Sequence, residues 1–385
     1  MFTSIAAPTI EAERGFLPSQ DPLKHLPPAF DAWENIAAGL PKLFASDNLR
    51  RMIEHLPPFP VDRIACDRER ERAMSLLSYL GHAYVWGGRQ PADVLPKSLA
   101  IPWHAIATQL GRPPVLSYSS YALHNFFRVD PAREIECGNI ALIQNFLGGI
   151  DEEWFVLIHV DIERRAAPAL AALHACLDAA ESRDAERLER LLETVRASIE
   201  SMYSTLKRMT EWCDPYIYYQ RVRPYLHGWR DHPDLPHGVI YDGVEAWGGQ
   251  PRQFRGETGA QSAIVPSLDA MLGIAHKGDA LRSYLMEMRT YMPPAHRAFI
   301  ESLEARASVR PFVQRCSRTA LTEIYDTCVE AIGRFRTLHL EYAGRYIFQQ
   351  AQTDEKNPHA VGTGGTPFMP YLTKHRDETI RHRIG

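Results

Sequence analysis

"LTEIYDTCVEAIGRFRTLHLEYAGRYIFQQ", residues 321–350, sets Leu321, Tyr325, Cys328, Ile332 and Phe335, then Tyr342 and Tyr346, alternately four and three residues apart. That interval is one face of an α-helix, so the spacing predicts a helix over 318–350 with a single apolar stripe turned to a core. His339 stands in the stripe where the period asks for another apolar residue. Two readings of it are open. A core histidine gives its ring N–H to a backbone carbonyl. A ligand histidine offers a neutral imidazole, held on a rigid helix in an apolar shell, to a metal or a haem iron.

The same period recurs outward from this segment, over 61–86, 152–180, 184–213, 279–289 and 294–304, and in "FDAWENIAAGLPKLFA" (30–45). Strand-like alternation is scarce. Prolines interrupt "GRQPADVLPKSLAIPW" (88–103) and "GRPPVLSYSSYALHNF" (111–126), while "VDPAREIECGNIALIQNF" (129–146) has room for a small hairpin. The first 30 residues read as an irregular arm. The expected architecture is mostly α: a smaller mixed N-terminal α(+β) domain over 1–130 and a larger all-α domain over 131–385.

Composition narrows the function. In 385 residues, 45% hydrophobic content supplies a sizeable core, and 43 basic against 47 acidic side chains give a net charge of -4. That balance argues against a nucleic-acid footprint or a polybasic membrane anchor and points to a small-molecule partner. The N-terminus lacks the basic and apolar regions of a signal peptide, and no run of about 18 apolar residues is present to span a bilayer. Six cysteines stand apart with no CxxC pair, which fits a reducing compartment. A soluble, cytoplasmic protein is expected. Zinc finds no HExxH, and no HxxxH on the His339 helix. A single buried histidine suits haem better, since the porphyrin brings four nitrogens of its own. Arg336, three residues earlier and roughly 60° around the helix, is placed to reach a buried carboxylate or a propionate.

Beyond periodicity, several blocks resemble one known family. "YLHGW" (225–229), "GETGAQSA" (256–263), "DAMLGI" (269–274), "MRTYMPPAHRAF" (288–299), "RTLHLEYAGRYI" (336–347) and "GTGGTPFMPYL" (362–372) are similar, in this order, to motifs of the indoleamine 2,3-dioxygenases. The resemblance covers about residues 110 to 380. It implies a large helical domain that binds haem b, and an enzyme that inserts both atoms of dioxygen across the C2–C3 bond of L-tryptophan or a related indole. The product would be of the N-formylkynurenine type, as in tryptophan catabolism by the kynurenine pathway, and an external reductant would serve the iron.

Position by position, the resemblance implies that His339 is the proximal iron ligand and that Arg336 lies at the haem edge. Asp269 would be a proximal-side carboxylate that orients the ligand; a plain helix cap remains an alternative for it. Tyr218, Tyr219 and Phe155 would wall the indole, with Tyr118 and Tyr121 lining the inner pocket. Arg223 would clamp the substrate carboxylate. Thr363 and Gly364, with their neighbouring glycines, would fold over the substrate. Thr258, Gly259 and Ala260 would lie over the distal haem face, where small residues leave room.

Four departures from the animal enzymes stand out. Tyr218 and Tyr219 replace paired phenylalanines, adding hydroxyls that need partners if buried. Pro224 is expected to bias Arg223 away from the αR region. Glu257 replaces a glycine and faces either the pocket or solvent. His159 falls on the distal side near the indole N–H in one register; a shift of one residue puts Ile158 there instead. Two other functions stay open: a haem enzyme of the same fold that rearranges a modified tryptophan in secondary metabolism, and a non-catalytic oxygen-binding haem protein. Arg223 and Thr363 argue against the second, because an oxygen carrier needs no carboxylate clamp.

Overall fold

The longest element, Ile150–Glu181, starts where three acidic residues, Asp151, Glu152 and Glu153, meet the positive end of the helix dipole. Glu152 folds back to accept the amide protons of Phe146, Leu147 and Gly148 at 2.6, 2.9 and 3.2 Å, fixing the approach of the chain. A turn with Arg183 at φ 59 reverses direction, and Asp184 caps the next helix, Ala185–Lys207, by accepting from the Arg187 amide at 2.9 Å. These two helices pack along each other, and Thr319–Ala343 lies against Ala185–Lys207 with Phe368–Ile380 behind it. The computed structural model describes residues 10, 12–276, 278, 280–353, 362–363 and 368–385.

The predicted stripe is the buried face of Thr319–Ala343. Leu321, Tyr325, Cys328 and Ile332 are buried and Phe335 is half-buried. The helix then widens into a π turn over Gly344–Phe348 before Gln349–Thr353. Helices Ala280–Arg289 and Pro294–Glu304 match their predicted spans within a residue.

In the N-terminal third, Asp67–Trp86 is buried continuously from Arg72 to Val85. It crosses Lys97–Leu110 so closely that a Cβ on Gly81 would lie 2.2 Å from the Trp103 ring. Lys97–Leu110 corrects the reading of 88–103 as interrupted. Pro96 precedes the helix, and Pro102 in its second turn forfeits a single i to i−4 bond. A hairpin exists, with Phe126–Arg128 antiparallel to Ile140–Leu142, but its first strand lies wholly before the expected segment 129–146. A second two-stranded ladder pairs Val94–Leu95 in parallel with Ile240–Tyr241. Buried apolar side chains from Phe16 to Tyr346 form one connected core. No described helix is long and apolar enough to cross a membrane.

Candidate active site

Deep in the molecule, the His339 ring keeps exposed surface, although the protein around it strips it of water. Both are true of a side chain that lines a concave space, a cavity walled by protein. Burial pulls the imidazole's pKa down to about 4, helped by His159 and Arg336, so it is neutral near pH 7, the form that ligates a metal. No side chain among the described residues hydrogen bonds to its ring.

Three residues earlier on that helix, roughly 60° around it, Arg336 is buried and its Nη2 lies 2.6 Å from Asp269 Oδ2; its other terminal nitrogen reaches the Thr379 hydroxyl. Asp269 sits near the end of helix Ile264–Leu272, which rules out the N-cap reading. Its Oδ2 also contacts His276 Nε2 at 3.1 Å, and His276 Nδ1 lies 2.8 Å from Glu378. Burial alone would raise the Asp269 pKa, but Arg336 and His276 together outweigh it and hold the carboxyl at about 2. The structure thus joins Asp269 to Arg336 and not to the His339 ring. Any influence on the imidazole passes through the guanidinium.

Opposite His339 is the face of Ile150–Glu181 that carries Phe155, His159 and Glu163. Ile158 is fully buried in the core, and His159 is the one turned to the cavity. His159 Nδ1 lies 2.7 Å from the Phe155 carbonyl; with the proton there, Nε2 is left as an acceptor. Burial keeps this ring neutral as well. A proton on His159 would disfavour one on His339, so the two imidazoles lie near each other.

The walls are aromatic. Phe155 packs on Tyr218 at 4.5 Å between ring centroids and faces Tyr121 at 6.4 Å. Tyr121 is 1% exposed and its hydroxyl has no hydrogen-bond partner. Tyr118, also buried, donates its hydroxyl to Glu163 Oε1 at 2.9 Å and its amide to Gln261 Oε1 at 2.9 Å. Arg223, 1% exposed, lies over the Tyr219 ring at 5.2 Å. Its backbone corrects the expectation drawn from Pro224: φ -55 and ψ -37 are αR. A π turn over Tyr218–Val222 leads into a 3-10 turn over Arg223–Leu226, where Pro224 occupies a first-turn position whose missing N–H costs nothing.

The segment 256–263 is joined to these walls through Gln261 and Ser262. Thr258 caps the turn Gly259–Gln261 by accepting from the Ala260 amide at 3.4 Å. A Cβ on Gly259 would meet nothing within 4 Å, and Ala260 is half-buried. Glu257 does not face solvent; it is 5% exposed, and burial lifts its pKa to about 8. Thr363 donates its hydroxyl to the Glu257 carbonyl, tying that residue to the site. Gly364 lies outside the described residues. The sequence reading missed Glu163, which also accepts from Ser262 at 2.8 Å and is raised to about 7 by burial. Its signal was its place one helical turn after His159.

Among the described residues no three His, Cys, Asp or Glu side chains converge on a metal position. One neutral imidazole with exposed surface, and open space beside Gly259, fit a flat macrocycle that brings its own four donors.

Comparison with known proteins agrees with this geometry. The sequence model of the family described as "Indoleamine 2,3-dioxygenase" matches residues 4–382. Indoleamine 2,3-dioxygenase 2 of Homo sapiens is 34% identical, covering 96% of this chain and 93% of its own. Indoleamine 2,3-dioxygenase of Saccharomyces cerevisiae is 34% identical over 96% and 92% of the two chains. A protein named 6-hydroxytryptophan 2,3-dioxygenase, from Fusarium equiseti, is 33% identical over 99% and 98%.

Proposed function

The chain belongs to the indoleamine 2,3-dioxygenase family, haem-iron dioxygenases of tryptophan or related indoles, and on that premise we propose that it converts L-tryptophan to N-formylkynurenine. Both oxygen atoms enter the product as the C2–C3 and O–O bonds break, so the turnover itself needs no net electrons. An external reductant serves only to bring the iron to its ferrous state. The observation that carries this reading is the pair of neutral imidazoles, His339 and His159, facing one cavity walled by aromatics and flanked by the buried Arg223.

In this reading His339 holds the haem, and Arg336, fixed by Asp269, supports the proximal wall. Bound haem iron supplies the activation of dioxygen. The protein does the rest by orientation and exclusion of water. Arg223 takes the substrate carboxylate in a two-pronged contact, and Tyr219 beneath it holds the guanidinium plane. Phe155, Tyr218 and Tyr121 sandwich the indole. His159 Nε2 accepts the indole N–H, which fixes the edge of the ring that is presented for attack. Tyr118 closes the inner wall. Thr258, Gly259 and Ala260 leave space above the reacting carbons, and Thr363 closes the pocket behind the substrate.

A ring-hydroxylated tryptophan is a second reading. The buried Tyr121 hydroxyl has no partner, and a polar substituent on the indole would satisfy it; the relative named for 6-hydroxytryptophan lends it weight.

The test is direct. The haem-loaded protein is reduced and given L-tryptophan in air, and the near-ultraviolet band of formylkynurenine is followed. A Soret band with no product and no spectral change on adding tryptophan would exclude this substrate. His339→Ala that keeps haem with unchanged axial spectra would overturn the ligand assignment.

A further inference from the structure

We propose that the Glu257 carboxylate receives the α-ammonium of the substrate, so that this pocket selects indoles that carry a free primary amine as well as a carboxylate. The inference rests on the reading that the cavity binds an indole amino acid.

The backbone that presents Glu257 is fixed from both sides. A Cβ on the preceding Gly256 would lie 2.1 Å from the Leu226 carbonyl oxygen and 2.2 Å from the Gly228 nitrogen, so only glycine permits this crossing with "YLHGW". The Glu257 amide donates to the Leu226 carbonyl at 3.1 Å, and its own carbonyl accepts the Thr363 hydroxyl. The side chain leaves this pinned point into protein, 5% exposed, and no described residue donates a hydrogen bond to its carboxylate. Such a group is costly to bury unless something arrives to pair with it.

Its neighbours are aromatic. The charge of Glu257 reaches Tyr79, Tyr118, Tyr121 and Tyr218, which come from three separate segments and include the aromatic walls of the cavity. Tyr218 feels Glu257 and Arg223 together, with opposite effects. One ring is therefore near a buried carboxyl and a buried cation. An amino acid whose side chain packs on that ring offers the complementary pair, ammonium to Glu257 and carboxylate to Arg223. Protein cations nearby do not compete: Arg255 is drawn to Glu287 at 2.9 Å, and burial keeps His227 and His159 neutral.

A proton balance follows. Left to its own surroundings, Glu257 is a neutral acid below about pH 8, and the tyrosines that face it are neutral too. Pairing with an ammonium requires the carboxylate, so binding releases one proton.

The experiment compares L-tryptophan with indole-3-propionate, which keeps the ring and carboxylate and lacks the amine, on the reduced, haem-loaded full chain. Dissociation constants are read without oxygen from the Soret perturbation, for wild type, Glu257→Gln and Glu257→Asp. Glu257→Gln is expected to weaken L-tryptophan by roughly ten- to a hundredfold, the worth of a charged hydrogen bond, and to leave indole-3-propionate as tight or tighter. Wild-type affinity for L-tryptophan should rise by up to about tenfold per pH unit between pH 6 and 8, and this slope should vanish in Glu257→Gln. Turnover should show the loss in KM more than in kcat. Should Glu257→Gln fail to hold haem, Glu257→Asp decides, keeping the amine preference and the slope at weaker affinity. Equal weakening of both ligands, or an unchanged preference for the amine, would overturn the proposal. If wild type prefers the amine yet makes no formylkynurenine, the reaction falls and the ammonium site stands. If it makes product and the variant keeps the same preference, the reverse holds.

Discussion

Glu163 offers a sharp test of how the distal side is built. Both of its hydrogen bonds, from Tyr118 at 2.9 Å and Ser262 at 2.8 Å, go to Oε1, and the buried Oε2 has no partner. Burial lifts its pKa from 4.5 to about 7. At roughly 1.4 kcal/mol per pKa unit, ionising it in the fold costs about 3 kcal/mol. The folded pKa is the raised one, so this contribution to stability is intact below pH 4.5 and is lost as pH rises through about 7. Glu163→Gln keeps an acceptor at Oε1 and, like the protonated acid, places an unpaired donor at Oε2. It should therefore match wild type within about 1 kcal/mol at pH 5 and exceed it by about 3 kcal/mol at pH 8.5. Urea unfolding at the two pH values, with haem in the same excess throughout so that binding adds equally to both proteins, measures the difference. A gap that is the same at both pH values, or one that favours wild type at pH 8.5, would refute the burial argument.

Asp269→Asn should behave in the opposite sense, since it strands Arg336 beside a neutral amide: a loss of about 3 kcal/mol in urea unfolding, and faster surrender of haem to an apoprotein trap. In wild type, the Asp269 carboxyl at about 2 against 3.8 adds stability that is present above pH 3.8 and lost as pH falls through about 2, so acid unfolding should begin at higher pH once that charge is gone. Arg223→Ala should raise KM for L-tryptophan by roughly ten- to a hundredfold, with a much smaller effect on tryptamine, which has no carboxylate; equal losses for both substrates in steady-state assays would remove the clamp assignment.

The helical frame was legible because its elements are long and amphipathic. Thr319–Ala343 and Ala185–Lys207 repeat the period often enough for their starts to fall within one residue of expectation, while a π turn and a short separate helix end them seven and six residues early. Lys97–Leu110 was hidden by Pro96 and Pro102, and the nine residues of Ile264–Leu272 are too few for the pattern to declare itself. His339 was legible as a polar residue in an apolar stripe, and the motif resemblance gave that oddity a role. His159 was ambiguous because one residue of slip turns a helix by about 100°; complete burial of Ile158 resolves which side chain faces the cavity. The π turn before Arg223 left no mark in the sequence, because nothing in residue order distinguishes a widened turn from a proline-bent one.

What sequence alone had no means to give is the protonation of three buried acids, for that depends on partners from distant segments. Asp269, Glu163 and Glu257 are all sealed from solvent, yet their pKa values stand at about 2, 7 and 8. The difference follows the presence of a cation: Arg336 and His276 ionise Asp269, two hydroxyl donors give Glu163 modest support, and Glu257 has neither. The proximal side thus carries a permanent ion pair, and the distal side below pH 7 carries two neutral acids and a neutral His159. A cavity without fixed negative charge admits a flat apolar ring at little desolvation cost, and the least supported acid can become ionised only when a ligand brings the cation. That ordering makes Glu257 the acid whose charge should report on occupancy, while Glu163, which has no route to a cation, serves to hold Tyr118 in place.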